Sequence, residues 1–195
     1  MNVRLYVEGA TRESDLDRTI CREAFGQFFE AAGIKRRPRT VPSGGRNDTY
    51  KDFVSGLKSA GPNDLVLMLV DSEDLVAPAH PVWQHLKARE GWDQPPSVGE
   101  NQAYLMVCVM ETWFLADIES LRAFFGKNFK ESKVPAWPNL EAVPKARIYE
   151  AIGAVSTDQY SKGNRSFKLL EKLNPAAVEL RCPRAKAFLD RLRAL

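Results

Sequence analysis

Apolar residues form two unbroken runs in this chain, Leu65 to Val70 and Ala103 to Met110. Continuous apolar runs of this length are typical of strands that are buried on both faces of a parallel sheet. Val3 to Val7 predicts a further short strand. Ile34 to Val41 predicts an edge strand, because it is strongly basic and contains Pro38, which cannot donate a ladder hydrogen bond. The pattern therefore predicts a mostly parallel sheet of about four strands.

Helical periodicity follows the predicted strands. Apolar residues recur at helical spacing between Thr11, the predicted N-cap, and Gly33, which ends that helix. Further helices are predicted over residues 49–59, 82–90, 114–125, 145–153, 166–173 and 183–193. This alternation predicts an α/β fold in which residues 1–126 form the core and residues 127–195 form a C-terminal helical extension packed on it.

Polar and charged residues follow the end of every predicted strand. In chain order they are Glu8-Gly9, Gly44-Gly45-Arg46, Asp71-Ser72-Glu73 and Glu111. The carboxyl ends of parallel strands meet at one edge of the sheet, where α/β proteins bind their ligands. We therefore expect all four groups to lie along one rim.

Glu8, Asp71 and Glu73 are the candidate catalytic acids of this rim, and Asp74 and Glu111 join them as candidate metal ligands. Carboxylates about 6 Å apart repel by roughly 2–3 kcal/mol per pair at an effective dielectric constant of about 20. A cation would remove this repulsion, and an all-oxygen ligand set favours Mg²⁺ or Mn²⁺ over zinc. Such an ion supports phosphoryl transfer or phosphodiester hydrolysis. The alternative is that these acids cap the helices that follow.

Two groups of residues are candidates for phosphate binding. The turn at Gly44, Gly45 and Arg46 could present backbone N–H groups to a phosphate, although Gly-Gly turns are common and this one lacks the Lys-Ser/Thr of a Walker motif. Arg37 and Arg39, with their basic neighbours, could grip a nucleic-acid backbone. Charges on an edge strand also protect against aggregation, so both interpretations stay open.

The composition excludes several other classes of site. The chain of 195 residues has three widely spaced cysteines and no CxxC pair, which argues against a disulfide framework or a structural zinc site. His80 and His85 are predicted to lie in a loop and on a helix surface. No stretch has the length of a membrane span and no signal peptide is evident, so we expect a cytoplasmic protein without a membrane partner.

The net charge of +3 is unevenly distributed. Residues 144–195 carry eleven Lys and Arg against five Asp and Glu, so the rest of the chain is net acidic. A basic C-terminal segment indicates either a solvated helical face or a surface that contacts phosphate.

Two of the motifs resemble the Toprim domain of topoisomerases, primases and overcoming-lysogenization-defect (OLD) nucleases. Val7 to Thr11 follows the first strand and contains the Glu that Toprim domains carry there, and Asp71 to Glu73 follows a later buried strand, where the family has Asp-x-Asp. The resemblance implies that Glu8 acts as general acid or base and that the two later acids bind Mg²⁺. The chain departs from the pattern in its Asp-Ser-Glu motif and in lacking the glycine that commonly follows.

A narrower resemblance covers nearly the whole chain. Met110 to Asp117 is similar to the ME-W-LAD signature of a bacterial Toprim-like family of unknown function, and Tyr160-Ser161-Lys162 with Cys182-Pro183 is similar to it too. Members of that family are often encoded beside ABC-type or SMC-like ATPases in mobile and defence loci. The resemblance implies an ATPase partner. Lys162 joins the candidate phosphate or nucleic-acid contacts, and the chain could also form a homo-oligomer.

The residues and the resemblance together predict a Mg²⁺-dependent nuclease of DNA or RNA that acts in anti-phage defence. One alternative is a catalytically inactive Toprim-like subunit that binds or regulates an ATPase. A third hypothesis is a nucleotide-binding enzyme that acts on a small phosphate ester.

Overall fold

The computed structural model describes residues 2–10, 13–77 and 79–195, and over these ranges it shows an α/β fold built on a four-stranded sheet. The strands are β1 (Asn2–Val7), β2 (Arg39–Pro42), β3 (Asp64–Asp71) and β4 (Ala103–Met106), in the spatial order β2-β1-β3-β4. Each neighbouring pair is parallel. The predicted fold class is therefore confirmed.

Helices flank the sheet and form the C-terminal part of the chain. They are α1 (Asp15–Ala31), α2 (Arg46–Lys58), α3 (Val82–Glu90), α4 (Glu111–Ala116), α5 (Ile118–Phe125), α6 (Lys145–Ser156), α7 (Asn164–Leu170), α8 (Pro175–Arg181) and α9 (Pro183–Arg193). Within the described ranges, none of the helices combines the length and the apolar character that a bilayer crossing requires.

The central strand β3 separates two hydrophobic cores. Val66, Met68 and Val70 belong to one core, which includes side chains of α2 and α3. Leu67 and Leu69 belong to the other, which includes side chains of α1 and of the C-terminal helices. Each fully buried side chain of this kind contributes about 1.5–3 kcal/mol. The strand is thus anchored on both faces, and its carboxyl end is held in a defined place.

The core that contains Leu67 and Leu69 joins the sheet to residues 127–195. Phe28 of α1 stacks on Trp113 with ring centroids 5.6 Å apart, and Phe29 meets the edge of Phe188 at 6.0 Å. Since Phe188 lies on α9, the C-terminal helices pack on the same helix that covers the sheet.

Two strands are shorter than the apolar pattern predicts. β2 begins at Arg39 and not at Ile34, because Gly33 takes a left-handed conformation with φ +72° and Pro38 has no N–H to donate. β4 ends at Met106 and not at Met110, because Cys108 also has a positive φ, of 58°, which takes the chain out of the ladder.

Helix ends differ from the predictions for local reasons. α1 begins at Asp15, where the Ser14 side chain accepts a hydrogen bond from the Asp17 N–H; the predicted cap Thr11 lies outside the described residues. The helix predicted to continue to Phe125 is broken at Asp117, which caps α5 by accepting from the Ser120 N–H. The prediction missed α8.

One histidine is also placed differently from the prediction. His85 is buried, and its Nε2 lies 2.9 Å from the backbone carbonyl oxygen of Ser72. It supports the loop after β3 and is not a surface residue of α3.

Two helical glycines provide a matched test of the packing between α2 and β1. A Cβ added at Gly56 would lie 2.4 Å from the Tyr6 hydroxyl oxygen, whereas one added at Gly26 in α1 has no atom within 4 Å. We expect Gly56→Ala to lower the free energy of unfolding by about 1–3 kcal/mol through overpacking. Gly26→Ala is expected to raise it by about 0.5–1 kcal/mol through helix propensity. Urea unfolding of both variants measures the difference, and equal effects would contradict this account of the packing.

Candidate metal centre

Three carboxylates converge at the carboxyl ends of β1 and β3. Glu8 follows β1, Asp71 ends β3, and Glu73 lies two residues further on; each offers an oxygen within 4.8 Å of those of the other two. The parallel pairing of β1 with β3 causes this convergence, since it aligns Val7 with Leu69. We call these three residues the acidic triad. It could bind a metal ion, because hard divalent cations prefer carboxylate oxygens at this spacing.

An unusual turn positions the third acid. Glu73 has φ +66° and Cys108, across from it and two residues after the end of β4, has φ +58°. The two segments are tied together by hydrogen bonds from the Glu73 N–H to the Cys108 carbonyl oxygen at 2.8 Å and from the Cys108 N–H to Ser72 Oγ at 2.7 Å. A left-handed conformation in a residue other than glycine costs of order 1–3 kcal/mol and is common at functional sites.

Basic side chains pair with two members of the acidic triad. Arg46 Nη1 lies 3.3 Å from Glu8 Oε2 and also donates to the backbone carbonyl oxygen of Asp71, while Arg46 Nη2 lies 2.9 Å from Glu90 Oε1. The Lys145 ammonium donates a hydrogen bond to Glu73. These cations neutralise Glu8 and Glu73 from the side.

Asp71 differs from the other two acids. Its Oδ1 atom is buried, and within the described residues no donor reaches it. Burial raises the pKa of Asp71 well above the ordinary value of 3.8, and the negative charges of Glu8 and Glu111 raise it further. A bound cation would therefore lower the electrostatic cost of ionised Asp71 more than that of Glu8 or Glu73.

The other two acids titrate differently because their surroundings differ. Burial also raises the pKa of Glu8, and Arg46 only partly offsets this effect. Burial acts in the same direction on Glu73, but the hydrogen bond and charge of Lys145, with Arg46, outweigh it and lower the pKa of Glu73. One rim thus holds carboxyls with pKa values moved in opposite directions.

A small cavity opens over the acidic triad. Its volume is about 160 Å³, and its lining includes Glu8, Asp71, Glu111 and Lys162. The Lys162 ammonium lies 4.7 Å from the ring centroid of Tyr149. Lys162 follows α6 in the chain, so the C-terminal part of the molecule brings a positive charge to the rim. The predicted contact of Lys162 with phosphate stays a prediction.

Two further acids that were predicted as metal ligands lie outside the acidic triad. Glu111 is the first residue of α4 and does not end a strand, because β4 stops earlier; it is buried, and the Tyr160 hydroxyl donates a hydrogen bond to it. Asp74 is largely exposed and pairs with Arg89 Nε at 3.1 Å. Neither supplies an oxygen to the three-carboxylate group.

The hydrogen bond between Tyr160 and Glu111 predicts a measurable contribution to stability. Tyr160→Phe leaves a buried carboxylate without its hydroxyl donor, which costs about 1–3 kcal/mol in the free energy of unfolding. Tyr50→Phe is the matched control, since the Tyr50 hydroxyl donates to the Asp93 carbonyl oxygen at the surface. We expect this control to cost less than about 1 kcal/mol. Equal losses in chemical denaturation would show that Tyr160 does not support Glu111.

The predicted glycine turn lies beside the acidic triad. The Gly9 N–H donates to the Gly44 carbonyl oxygen at 2.9 Å, and Gly45 is the N-cap of α2. A groove of about 550 Å³ lies here, and its ionisable lining residues are Glu13, Asp17 and Asp48. The side chains around this turn are therefore acidic, and Arg46 is directed at Glu8 and Glu90 and not into this groove.

The predicted basic segment lies at the other edge of the sheet. Arg39 begins β2 and pairs in register with Arg4 near the amino end of β1, and Arg37 precedes it and forms an ion pair with Glu30 at 2.8 Å. The structure thus separates Arg37 and Arg39 from the acidic triad.

Several site residues were missed by the sequence reasoning. They are Lys145, Glu90, Arg89, Tyr149 and Tyr160. Each acts through a contact with a residue elsewhere in the chain. Tyr160 stands in the Tyr160-Ser161-Lys162 motif named above, but the motif did not indicate its hydrogen bond to Glu111. For Lys145 the signal was Pro144, which marks a helix start and places a cation in its first turn.

The comparisons with known proteins give one family match. The model of a domain of unknown function, DUF4276, matches residues 7–193, which include all three members of the acidic triad and Lys162. No curated protein and no solved structure matches the chain. Because the family model covers nearly the whole sequence, this chain belongs to the DUF4276 family.

Proposed function

We propose that this chain is a Mg²⁺-dependent nuclease of Toprim type that hydrolyses phosphodiester bonds of DNA or RNA. The observation that carries the proposal is the convergence of Glu8, Asp71 and Glu73 within 4.8 Å. The donor set fits Mg²⁺ or Mn²⁺, since it consists of carboxylate oxygens alone. The buried Oδ1 of Asp71, which no donor in the described ranges reaches, is the atom whose charge such an ion would balance.

The chemistry divides among the residues of the rim. When bound, a divalent ion would neutralise charge on the scissile phosphate and lower the pKa of an attacking water. Asp71 and Glu73 would hold it. Burial raises the pKa of Glu8 above that of an ordinary carboxyl group, and Glu8 would act as general acid or base. Lys162, which also lines the cavity, would contact the phosphate.

Incubation with supercoiled plasmid, single-stranded DNA and RNA tests this function, with Mg²⁺, Mn²⁺ or EDTA in parallel. We expect cleavage only with a divalent ion, and we expect Glu8→Gln and Asp71→Asn each to reduce it at least about 100-fold, since loss of metal-based stabilisation amounts to several kcal/mol. Cleavage that persists undiminished in both variants would come from a contaminant or from another site, and the assignment would be wrong.

A second candidate function is a non-catalytic subunit that binds or regulates an ATPase. The observation that favours it is the pairing of Arg46 with Glu8 and of Lys145 with Glu73, which neutralises two triad acids without a metal. Co-expression with an ABC-type or SMC-like ATPase encoded nearby tests it. Absence of a complex would count against this role.

The proposed setting is anti-phage defence in the cytoplasm with such an ATPase. It rests on the resemblance described above. The three cysteines are buried and free, which agrees with a reducing compartment.

A further inference from the structure

A depression of about 570 Å³ lies at the amino ends of β1 and β2, at the edge of the sheet opposite the acidic triad. Its charged lining residues are Arg4, Arg36, Arg37, Arg39 and Asp64. We propose that this arginine-lined depression binds the phosphodiester backbone of a nucleic acid, as a second contact point for the substrate of the nuclease. The proposal rests on the proposed function for the class of substrate.

The arginines of the depression are only partly neutralised. Arg4 Nη2 lies 3.8 Å from Asp64, and Arg37 Nη1 lies 2.8 Å from Glu30. In the described part of the chain, the exposed Arg39 guanidinium makes no hydrogen bond and no ion pair. Guanidinium groups bind phosphate oxygens bidentately and are weakly hydrated, so an unpaired one is suited to a phosphate.

Arg36 adds a second guanidinium, which contacts the last residue of the sequence. Its Nη1 donates to the main-chain oxygen of Leu195 at 3.2 Å, and no side-chain carboxylate in the described ranges pairs with it. The arginines therefore exceed the carboxylates around the depression, and the field there is positive.

The segment that carries these arginines is held firmly. Ile34 is buried, its N–H donates to the Phe29 carbonyl oxygen at 3.0 Å, and Pro38 is buried as well. The exposed side chains of Arg36 and Arg39 thus project from a backbone that is anchored on both sides. Anchoring lowers the entropy that a ligand must overcome on binding.

The acidic rim explains why a nuclease would need such a surface. The groove beside the triad is lined by Glu13, Asp17 and Asp48, so its field repels a polyanion until a metal binds. Non-specific affinity for nucleic acid comes almost entirely from neutralised phosphates. The arginine-lined depression supplies positive charge in addition to that of Lys162 at the rim.

The two sites are far enough apart to act independently. Arg4 and Glu8 are four residues apart on the β1 path, or about 13 Å along a strand. This separation exceeds the Debye length of about 8 Å at physiological ionic strength. Changing the charge of the depression should therefore leave metal binding at the acidic triad unaffected.

Fluorescence anisotropy with labelled single-stranded DNA and RNA of one sequence, in EDTA and at several salt concentrations, tests the proposal. We expect Arg36→Glu/Arg39→Glu to weaken binding at least about tenfold and to reduce the slope of log K against log salt by about 2. Lys127→Glu/Lys133→Glu is the control, because both lysines are exposed and the change in net charge is the same. Equal losses in both double variants, or no loss in the first, would overturn the proposal.

Three further measurements distinguish a nucleic-acid site from a small-anion site, and distinguish failure of this proposal from failure of the proposed nuclease function. In the first, inorganic phosphate, ATP and an unlabelled oligonucleotide compete with the labelled strand. If phosphate or ATP competes as effectively per molecule as the oligonucleotide, the nucleic-acid assignment is overturned and the depression is a small-anion site. The Mn²⁺-induced shift in melting temperature should be the same in wild type and Arg36→Glu/Arg39→Glu; a lost shift in this variant would contradict independence of the two sites. Wild-type binding that the arginines control, together with no cleavage, would reject the nuclease and retain the depression. The single variant Arg39→Glu provides the same comparison should the double variant fold poorly.

Discussion

Asp71→Asn is expected to raise the melting temperature of the metal-free protein while it abolishes the response to divalent metal. The Oδ1 atom of Asp71 is buried and has no donor among the described residues, and Glu8 and Glu73 carry like charges within 4.8 Å. Each such pair costs about 3 kcal/mol at an effective dielectric constant of about 20. The neutral amide removes this repulsion without changing the shape of the side chain.

The expected rise is about 5–10 °C, since Arg46 and Lys145 offset part of the charge of Glu8 and Glu73 and leave about 2–3 kcal/mol of this repulsion, and 1 kcal/mol corresponds to roughly 2–4 °C for a domain of this size. Thermal unfolding in EDTA and in excess Mn²⁺ measures both effects: wild type should gain stability with the ion and Asp71→Asn should not. Asp74→Asn is the matched control, because Asp74 is exposed and lies outside the triad. A variant of Asp71 that is less stable in EDTA and still responds to Mn²⁺ would show that the carboxylate is structural.

The same variant should change the dependence of stability on pH. The pKa of Asp71 is raised in the folded state, so the folded chain retains a proton that the unfolded chain releases. Stability of the metal-free protein must then fall as pH rises from the ordinary carboxyl value of 3.8 through the raised pKa. Asp71→Asn removes this contribution, so its advantage over wild type should widen across that window and disappear in strong acid.

Arg46→Gln should have the opposite effect on the metal-free protein. Arg46 pairs with Glu8 at 3.3 Å and with Glu90 at 2.9 Å, and its side chain is only 14% exposed. Its loss leaves the mostly buried Glu8 carboxylate without its ion pair, whereas Glu90 keeps Arg89 Nε at 3.6 Å. The cost lies between those of surface and buried ion pairs, about 2–3 kcal/mol, or about 5–10 °C in melting temperature.

Metal should restore most of this loss. A divalent ion at the triad replaces the charge of Arg46 next to Glu8, so the Mn²⁺-induced shift should be larger in Arg46→Gln than in wild type. Arg89→Gln is the control, since Arg89 is more exposed and its shortest ion pair, 3.1 Å, is with the exposed Asp74, while Glu90 and Glu73 lie at 3.6 and 3.8 Å; we expect it to cost less than about 1 kcal/mol. Equal Mn²⁺-induced shifts in wild type and Arg46→Gln would mean that the guanidinium does not stand in for a metal.

The sheet and the triad could be predicted because both follow from local patterns. The apolar run before Asp71 can only be buried on two faces, and parallel pairing then brings Glu8 to the same edge. The residues that surround the triad could not be predicted in this way. Arg46 meets Glu90, and Lys145 meets Glu73, through contacts that depend on how helices dock.

The ends of elements were the least predictable part of the fold. Apolar character continues past Met106 into Val109, yet the strand stops because Cys108 adopts a left-handed conformation that its residue type does not signal. Glu111 consequently begins a helix. Its buried position and its hydrogen bond from Tyr160 depend on a segment about fifty residues later in the chain.

The left-handed backbone at Glu73 has a consequence for how this sequence can evolve. Glycine or asparagine would occupy that conformation more easily than glutamate does. Selection against backbone strain alone would therefore enrich glycine at position 73, and selection for the negative charge that Glu73 presents to Lys145 or to a ligand of the rim would retain a carboxylate there. Variation at this position thus reports which of the two pressures a lineage has experienced.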